Sequence, residues 1–165
     1  MACISNIAGI AALCVAGGAI ALLAAGRAGA LGGHPPADLG LHLGRLKPPS
    51  DTRNSVSSQA GLYEGDGARY AAIEPLRFEG ASADAMARLA GIVSSMPGAR
   101  VVESRPEYLY AQFTTRWLRF VDDAEFSVAP GTQRIELRSA SRLGREDFGV
   151  NRRRIDAIRT RFAQR

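Results

Sequence analysis

Four short segments between residues 99 and 142 restrict the fold of this chain more than any other part of it. The segments are ARVVES, EYLYAQFTT, RWLRFVDDAEFSVAP and QRIELRSASR, and apolar and polar residues alternate along much of their length. Because the links between them are short, successive strands can pair only in the antiparallel sense, since a parallel pair needs a long crossover. The segments therefore predict an antiparallel meander of four strands.

Helical patterns lie on either side of the meander. The segment SADAMARLAGIVSSMPG, residues 82–98, repeats apolar residues at helical spacing and stops at Pro97. The segment from residue 148 onward predicts a second helix, and YAAIEPLRF, residues 70–78, predicts a short edge strand because it contains Pro75. The apolar stripe of the first helix consists of Met86, Leu89, Ala90 and Val93.

The resulting element order is β-α-β-β-β-β-α, which predicts a two-layer α+β domain with an antiparallel sheet and both helices on one face. Helix-grip and TATA-binding-protein-like domains share this order, which is an analogy of fold and carries no function. We expect the domain to occupy residues 70–165. A Pro- and Gly-rich linker at residues 31–69 and an anchor or signal segment at residues 1–30 precede it.

The N-terminal run Ile4–Gly26 predicts a membrane-spanning helix. It has no charged side chain for 23 residues, and a helix of about 20 apolar residues crosses a bilayer. A cleaved signal peptide is the alternative, since AGA at residues 28–30 fits a cleavage site, but the run has no basic residue before Arg27. We expect one N-terminal span that is kept in the mature protein. Arg27 by itself favours a cytoplasmic domain.

The residue types in the rest of the chain exclude several kinds of site. Both cysteines, Cys3 and Cys14, lie in the apolar run, so the later residues cannot form a disulfide or a thiolate metal site. No histidine follows His42 and no G-x-S-x-G motif occurs, which argues against a serine hydrolase. We therefore expect no metal, no cofactor and a non-catalytic protein.

The C-terminal part of the chain is basic. Residues 138–165 carry nine arginines and three acidic residues, a net charge of +6 in a chain whose total is +5. Such a segment suits nucleic acid or anionic lipid. The apolar N-terminal run favours membrane lipid as the partner, so we expect no nucleic acid.

Polar residues occur at apolar-face positions of the last two predicted strands. In RFVDDAEFSV, strand alternation puts Asp122 on the same face as Phe120 and Phe126. In RIELRSASR, Ser139 and Ser141 continue the face that carries apolar residues earlier in the strand. Because a buried carboxylate without a partner is very costly, Asp122 needs a cation.

The last helix supplies that cation. If Asn151 caps the helix, Arg152–Arg154 fill its first turn, where the helix dipole disfavours cations by roughly 0.3–1 kcal/mol each. A helical wheel places Arg154 at the rim of the buried stripe and Arg153 towards water. We therefore predict that Arg154 pairs with Asp122 (with Asp147 and Glu146 as the next candidates) and that Arg153 is exposed.

These residues form a candidate ligand site. The first hypothesis is a non-catalytic binding or interaction module for a small apolar, amphiphilic or anionic ligand between sheet and helix. The alternatives are an ion pair that only orients the helix on the sheet, and an enzyme that uses the same cluster. The candidate ligand-binding residues are Asp122, Ser139, Ser141, Arg142, Asn151 and Arg154.

Several stretches resemble one family. LGRLKPPSDTRNSVSSQA, AAIEPLRF, FVDDAEF and RSASRLGREDFGVNRRR are similar to the domain-of-unknown-function 1499 family. The resemblance implies a small α+β domain, often behind a membrane-directed leader, with no established activity. Members commonly carry two cysteines at the positions of Pro49 and Ser55, which implies that a family disulfide is absent here. It also implies an oxidising compartment, so we expect an extracytoplasmic domain.

Overall fold

The computed structural model describes residues 2–164, with side chains from Leu13 onward. The chain is a mixed α+β protein with a helix at each end. Its elements, in chain order, are α1 (Ala2–Arg27), β1 (Ser55–Ser57), a 3-10 turn (Ala60–Leu62), α2 (Asp66–Ala71), β2 (Leu76–Arg77), α3 (Ser82–Ser94), β3 (Ala99–Arg105), β4 (Tyr108–Thr114), β5 (Val121–Val128), β6 (Arg134–Ser141) and α4 (Val150–Ala163).

All six strands form one antiparallel sheet. Its order is β1-β6-β5-β4-β3, and β2 also pairs with β6, beyond the end of β1. The predicted four-strand meander is confirmed as β3 to β6. The likeness to helix-grip domains stays a prediction.

The segment before α3 differs from its predicted structure. The predicted strand over residues 70–78 is reduced to Leu76–Arg77, because α2 takes up its first two residues. Asp66 in the first turn of α2 suits the positive end of the helix dipole. The segment 55–57, which lies in the predicted linker, pairs with β6 and is fully buried. A strand of three residues is too short for its alternation to be recognised in the sequence.

The main core lies between one face of the sheet and the helices α3 and α4. Burying each large apolar side chain there contributes about 1.5–3 kcal/mol. The predicted stripe of α3 faces this core, with Ala90 at its border. Buried side chains from the helices and the sheet include Met86, Leu89, Val93, Ile155, Ile158, Phe162, Leu109, Phe113, Phe126 and Leu137.

The other face of the sheet is covered by residues 38–48, which we call the strap. Leu46 packs on Tyr108 and Tyr110 of β4 and is 2% exposed. The strap is also fixed by hydrogen bonds to the sheet, because the backbone N–H of Gly40 donates to Glu125 Oε1 at 2.6 Å. Part of the predicted linker is therefore packed against the sheet.

Helix α1 is continuous, as predicted for Ile4–Gly26. Within the part of the chain whose side chains are described, no helix is both long and apolar enough to cross a membrane. The predicted single span is therefore not supported, and residues 4–12 of that span lie outside this part of the chain.

Candidate functional site

The predicted ion pair between the last helix and the sheet is present. Arg154 Nη2 donates to Asp122 Oδ2 at 2.5 Å, and the two side chains are 9% and 5% exposed. The guanidinium carbon of Arg154 lies 4.5 Å from the centroid of the Phe113 ring, so an aromatic face covers the cation. The pairing confirms the face assignments from the strand and helix periods.

Three further predicted residues join this pair in one hydrogen-bond network. Arg154 Nη1 donates to Asn151 Oδ1 at 2.6 Å and to Ser139 Oγ at 3.1 Å. Ser139 Oγ donates to the same Asn151 oxygen at 2.6 Å, and Asn151 Nδ2 donates to Ser141 Oγ at 3.1 Å. We call Asp122, Ser139, Ser141, Asn151 and Arg154 the helix–sheet network. Its polar atoms bind one another, which fixes α4 on the sheet.

Arg142 does not belong to the helix–sheet network. Its Nε and Nη2 donate to the two oxygens of Asp123 at 2.8 and 2.7 Å, a bidentate pair on the strap-covered face of the sheet. Hydrogen bonding to Asp123 raises the pKa of Arg142. The physical reason is strand parity: Ser139 and Ser141 point to the helices, so residues 140 and 142 point the other way. The prediction that Arg142 and Arg154 share one site is wrong.

Gly149 occupies the N-cap position of helix α4, and the side chain of Asp147, not that of Asn151, accepts hydrogen bonds from the helix end. The helix begins at Val150, so Asn151 is its second residue. Asp147 Oδ2 accepts from the backbone N–H of Asn151, and Oδ1 accepts from that of Gly149, both at 2.9 Å. The intervening Phe148 has a positive φ of 50°, which folds the carboxylate back onto the helix end. The prediction of an Asn151 cap is therefore wrong.

The charge of Asp147 suits its position. Burial raises the pKa of its carboxyl, but the N–H groups of Asn151 and Gly149 lower it by more, so the net shift is downward. A carboxylate below the first turn of α4 also opposes the positive end of the helix dipole. This negative charge compensates the arginines that crowd the same turn.

Each of those three arginines also has its own acceptor. Arg152 donates to the carbonyl oxygens of Tyr70 at 2.6 Å and Ala72 at 3.0 Å. Arg153 is exposed, as predicted, and donates to the carbonyl oxygen of Phe148 at 2.9 Å. Together with the Arg154 ion pair, these bonds direct the three guanidinium groups to three different places.

A second polar cluster lies beneath the strap, and its residues are not among the predicted site residues. Glu125 is fully buried, and its Oε1 accepts from Tyr108 at 2.7 Å as well as from the strap. Its Oε2 has no hydrogen-bond partner among the described residues. Burial raises the pKa of Glu125 and lowers the pKa of Arg138, which faces it on β6. The signal in the sequence was Asp123 and Glu125 at alternate positions of one strand.

A groove of about 850 Å³ runs between α4 and the segment from β1 to β2. Its apolar residues include Ile73, Leu76 and Phe162. It contains none of the six predicted ligand-binding residues. The lining consists of Ser57, Ser58, Ala60, Gly61, Ala72, Ile73, Glu74, Pro75, Leu76, Arg77, Arg152, Arg159, Phe162 and Ala163.

Three arginines and one carboxylate border this groove. The arginines are Arg77, Arg152 and Arg159, and the carboxylate is that of Glu74. Arg159 Nη2 donates to the carbonyl oxygen of Glu74 at 2.5 Å, which directs the guanidinium towards the groove wall. The border of the groove therefore carries a positive charge above an apolar floor.

A second groove of about 750 Å³ adjoins the first and shares three lining residues with it: Arg77, Phe162 and Ala163. Arg88 lines the second groove, and its guanidinium carbon lies 4.1 Å from the centroid of the Phe162 ring. The two grooves together form one path along α4, from Arg152 to Ala163.

The groove has limited chemical groups for catalysis. Ser58 Oγ donates to Glu136 Oε2 at 2.6 Å and accepts the backbone N–H of Leu137 at 2.8 Å, so its proton and one of its two lone pairs are engaged. Among the residues that the structure describes, no three His, Cys, Asp or Glu side chains are arranged to hold a metal ion.

Comparison with known proteins identifies the family. A family model described as "Protein of unknown function (DUF1499)" matches residues 45–162. No curated protein and no solved structure matches the chain. The matched region begins before β1 and extends into the last turn of α4, so it includes the whole sheet, the helix–sheet network and every lining residue of the two grooves except Ala163. The chain therefore belongs to the DUF1499 family.

Proposed function

We propose that the chain is a non-catalytic binding domain for a small amphiphilic anion, which it holds in the groove beside α4. The observation that carries this proposal is the combination of an apolar floor with an arginine border. Ligand sites are typically concave and mostly apolar, with a few polar groups that orient the ligand. An arginine border above such a floor suits a molecule with a hydrocarbon part and a carboxylate or phosphate head.

Charge and geometry favour an anion over a cation. The three arginines outnumber the two carboxylates beside them, that of Glu74 in the groove lining and that of Asp156, which pairs with Arg159 Nη1 at 2.7 Å. Each guanidinium has five N–H donors. Arg152 uses some of them on backbone carbonyls, and Arg159 uses some on the carbonyl of Glu74 and on Asp156. Those carbonyls orient the two side chains before a ligand arrives, which reduces the entropy lost on binding.

The helix–sheet network supports an enzyme less well. Its carboxylate and guanidinium are at most 9% exposed, and its serine and asparagine groups are engaged with one another. A substrate would have to break these bonds to reach Asp122. The network is better explained as the device that orients α4, which in turn forms one wall of the groove.

Binding of laurate, a carboxylate with an unbranched alkyl chain, tests the proposal. Calorimetry should detect binding to the full chain, and Arg159→Ala should weaken it on the order of tenfold, because a hydrogen bond to a charged group contributes about 1.5–3 kcal/mol. Arg153→Ala is the matched control, since Arg153 lies on the same helix, is exposed and does not line the groove. It should leave the affinity unchanged.

A second variant tests whether the ligand needs the space in the groove, without any change of charge. Ala163 is exposed at the end of α4 and lines both grooves, so Ala163→Trp should block laurate while leaving the melting temperature close to that of the parent chain. Absence of binding to the parent chain, or equal weakening by Arg159→Ala and Arg153→Ala, would reject the groove as the site.

A further inference from the structure

We propose that the C-terminal end of α1 and the β4–β5 turn together form a docking surface for an anionic lipid bilayer. We call this surface the basal surface, and it comprises residues 26–27 and 116–119. The inference is separate from the groove, which lies beside α4 and shares no residue with it.

A close contact fixes the end of α1 beside the turn. Gly26 is buried, and a Cβ atom at this position would lie 2.5 Å from the carbonyl oxygen of Leu118. Only glycine permits this approach of helix and turn, because real Cβ atoms do not come so close to an oxygen. The helix therefore leaves the domain at the level of the turn.

The turn presents an aromatic ring and two cations to the outside. Trp117 is 62% exposed, and the guanidinium carbon of Arg116 lies 5.0 Å from its ring centroid. Arg119 is exposed and adopts a positive φ of 60°, which is uncommon for a residue other than glycine. Tryptophan and arginine beside an apolar helix are typical of the headgroup level of a membrane.

The described part of α1 exposes apolar side chains along the helix that ends at this turn. Leu13 and Val15 are each 74% exposed, Ile20 is 66% exposed, and Arg27 follows at the end of the helix. An apolar surface of this kind marks a contact with another molecule or with lipid. Hydrocarbon covers it most simply, because the side chains of Leu13, Val15 and Ile20 are purely aliphatic.

The charges of the basal surface select an anionic partner. Arg27, Arg116 and Arg119 are all exposed, and the turn contains no acidic residue. The first carboxylates after the turn, those of Asp122 and Asp123, are buried and paired with arginines. The surface is therefore cationic without local compensation, which favours anionic headgroups and disfavours a second copy of the same surface.

Trp117 is the only tryptophan in the chain, so its fluorescence reports on the basal surface directly. The full chain is mixed with vesicles of phosphatidylcholine alone or of phosphatidylcholine with phosphatidylglycerol. We expect a blue shift of the emission, quenching by brominated lipid and loss of quenching by aqueous acrylamide. All three effects should be stronger with phosphatidylglycerol and should weaken as salt is added.

Charge variants provide the control. Arg116→Ala with Arg119→Ala should remove most of the preference for phosphatidylglycerol. Arg134→Ala should leave it intact, because Arg134 is exposed at the opposite end of the sheet. The proposal is overturned if the chain sediments with vesicles while acrylamide still quenches Trp117 fully, or if both lipid mixtures bind equally. A blue shift caused by self-association without vesicles would also overturn it, and would assign the surface to a second copy of the chain.

Discussion

Replacing Arg154 by alanine should destabilise the domain far more than replacing Arg153, its neighbour in the same helical turn. Arg154 is the cation that faces the buried carboxylate of Asp122 at 2.5 Å. Asp122 is 3% exposed in the structure, so removal of Arg154 leaves a buried carboxylate without its cation, which costs about 3–5 kcal/mol. The lost stacking of Arg154 on Phe113 adds to this. Ser139 and Asn151 still bond to each other in the variant, so the carboxylate is the main source of the loss.

Thermal melts of the two variants measure the difference. At roughly 2–4 °C per kcal/mol for a chain of this size, Arg154→Ala should lower the melting temperature by about 6–20 °C. Arg153→Ala should change the free energy of unfolding by less than about 0.5 kcal/mol, because an exposed side chain bonded only to a local carbonyl contributes little. Removing a cation from the first turn of α4 also relieves part of the dipole conflict.

A double-mutant cycle with Asp122→Ala separates the ion pair from other effects of Arg154. The double variant should be less destabilised than the sum of the two single variants, since neither buried charge is then left without its partner. Equal, small changes for Arg154→Ala and Arg153→Ala, or additive effects in the cycle, would refute the reasoning. The ion pair would then be a contact without a measurable role in orienting α4.

Four further predictions concern other parts of the domain. Asp147→Asn should lower the free energy of unfolding by about 1–2 kcal/mol at neutral pH. The pKa of Asp147 is lower in the folded chain than in the unfolded chain. Its contribution to the free energy of unfolding is therefore present above the unfolded-state pKa and is lost as the pH falls through the folded-state pKa. The melting temperature of the parent chain should therefore fall as the pH is lowered, and it should fall less in Asp147→Asn. The pKa of Glu125 is higher in the folded chain than in the unfolded chain. Its contribution to the free energy of unfolding is therefore favourable below the unfolded-state pKa and is lost as the pH rises through the folded-state pKa. Glu125→Gln should accordingly be at least as stable as the parent chain at neutral pH, and a clear loss there would contradict the assignment. Gly98→Ala should cost at least about 1 kcal/mol, because Gly98 has a φ of 74° and its Cβ would meet the backbone of Thr114. Gly91 lies within α3 and has open space around it, so Gly91→Ala should raise the free energy of unfolding by about 0.5–1 kcal/mol. Urea titrations of the two glycine variants measure both changes.

Regular periods made part of the candidate site predictable. Alternation along β5 and β6 placed Asp122 with Ser139 and Ser141, and the helical wheel placed Arg154 against them, because side-chain direction in a strand or helix is fixed by the backbone. The same parity would have excluded Arg142 from the network. Arg142 was assigned to the same site as Arg154 because both are cations. Since Arg142 directly follows Ser141 in the chain, its side chain faces the opposite side of the sheet.

Features that depend on irregular backbone or on distant segments were not predictable in this way. The cap of α4 depends on the positive φ of Phe148, which brings Asp147 to the helix end in place of Asn151. The strap has apolar residues such as Leu46 without any period, so nothing in its sequence indicates the sheet face that it covers. The groove arises where α4 meets the segment around β2, and no single stretch of sequence contains it.

The position of β1 in the sheet has a consequence for how the chain folds. Ser55 pairs with Ala140 and Ser57 with Arg138, so β1 precedes its partner by about 80 residues. β2 pairs with the same strand, and β6 is the last strand to leave the ribosome. Contacts of such long sequence separation slow folding, because the loop must close before they form. During synthesis, β1 and β2 therefore lack their strand partner until β6 emerges, and assembly of this edge of the sheet is expected to be a late, slow step.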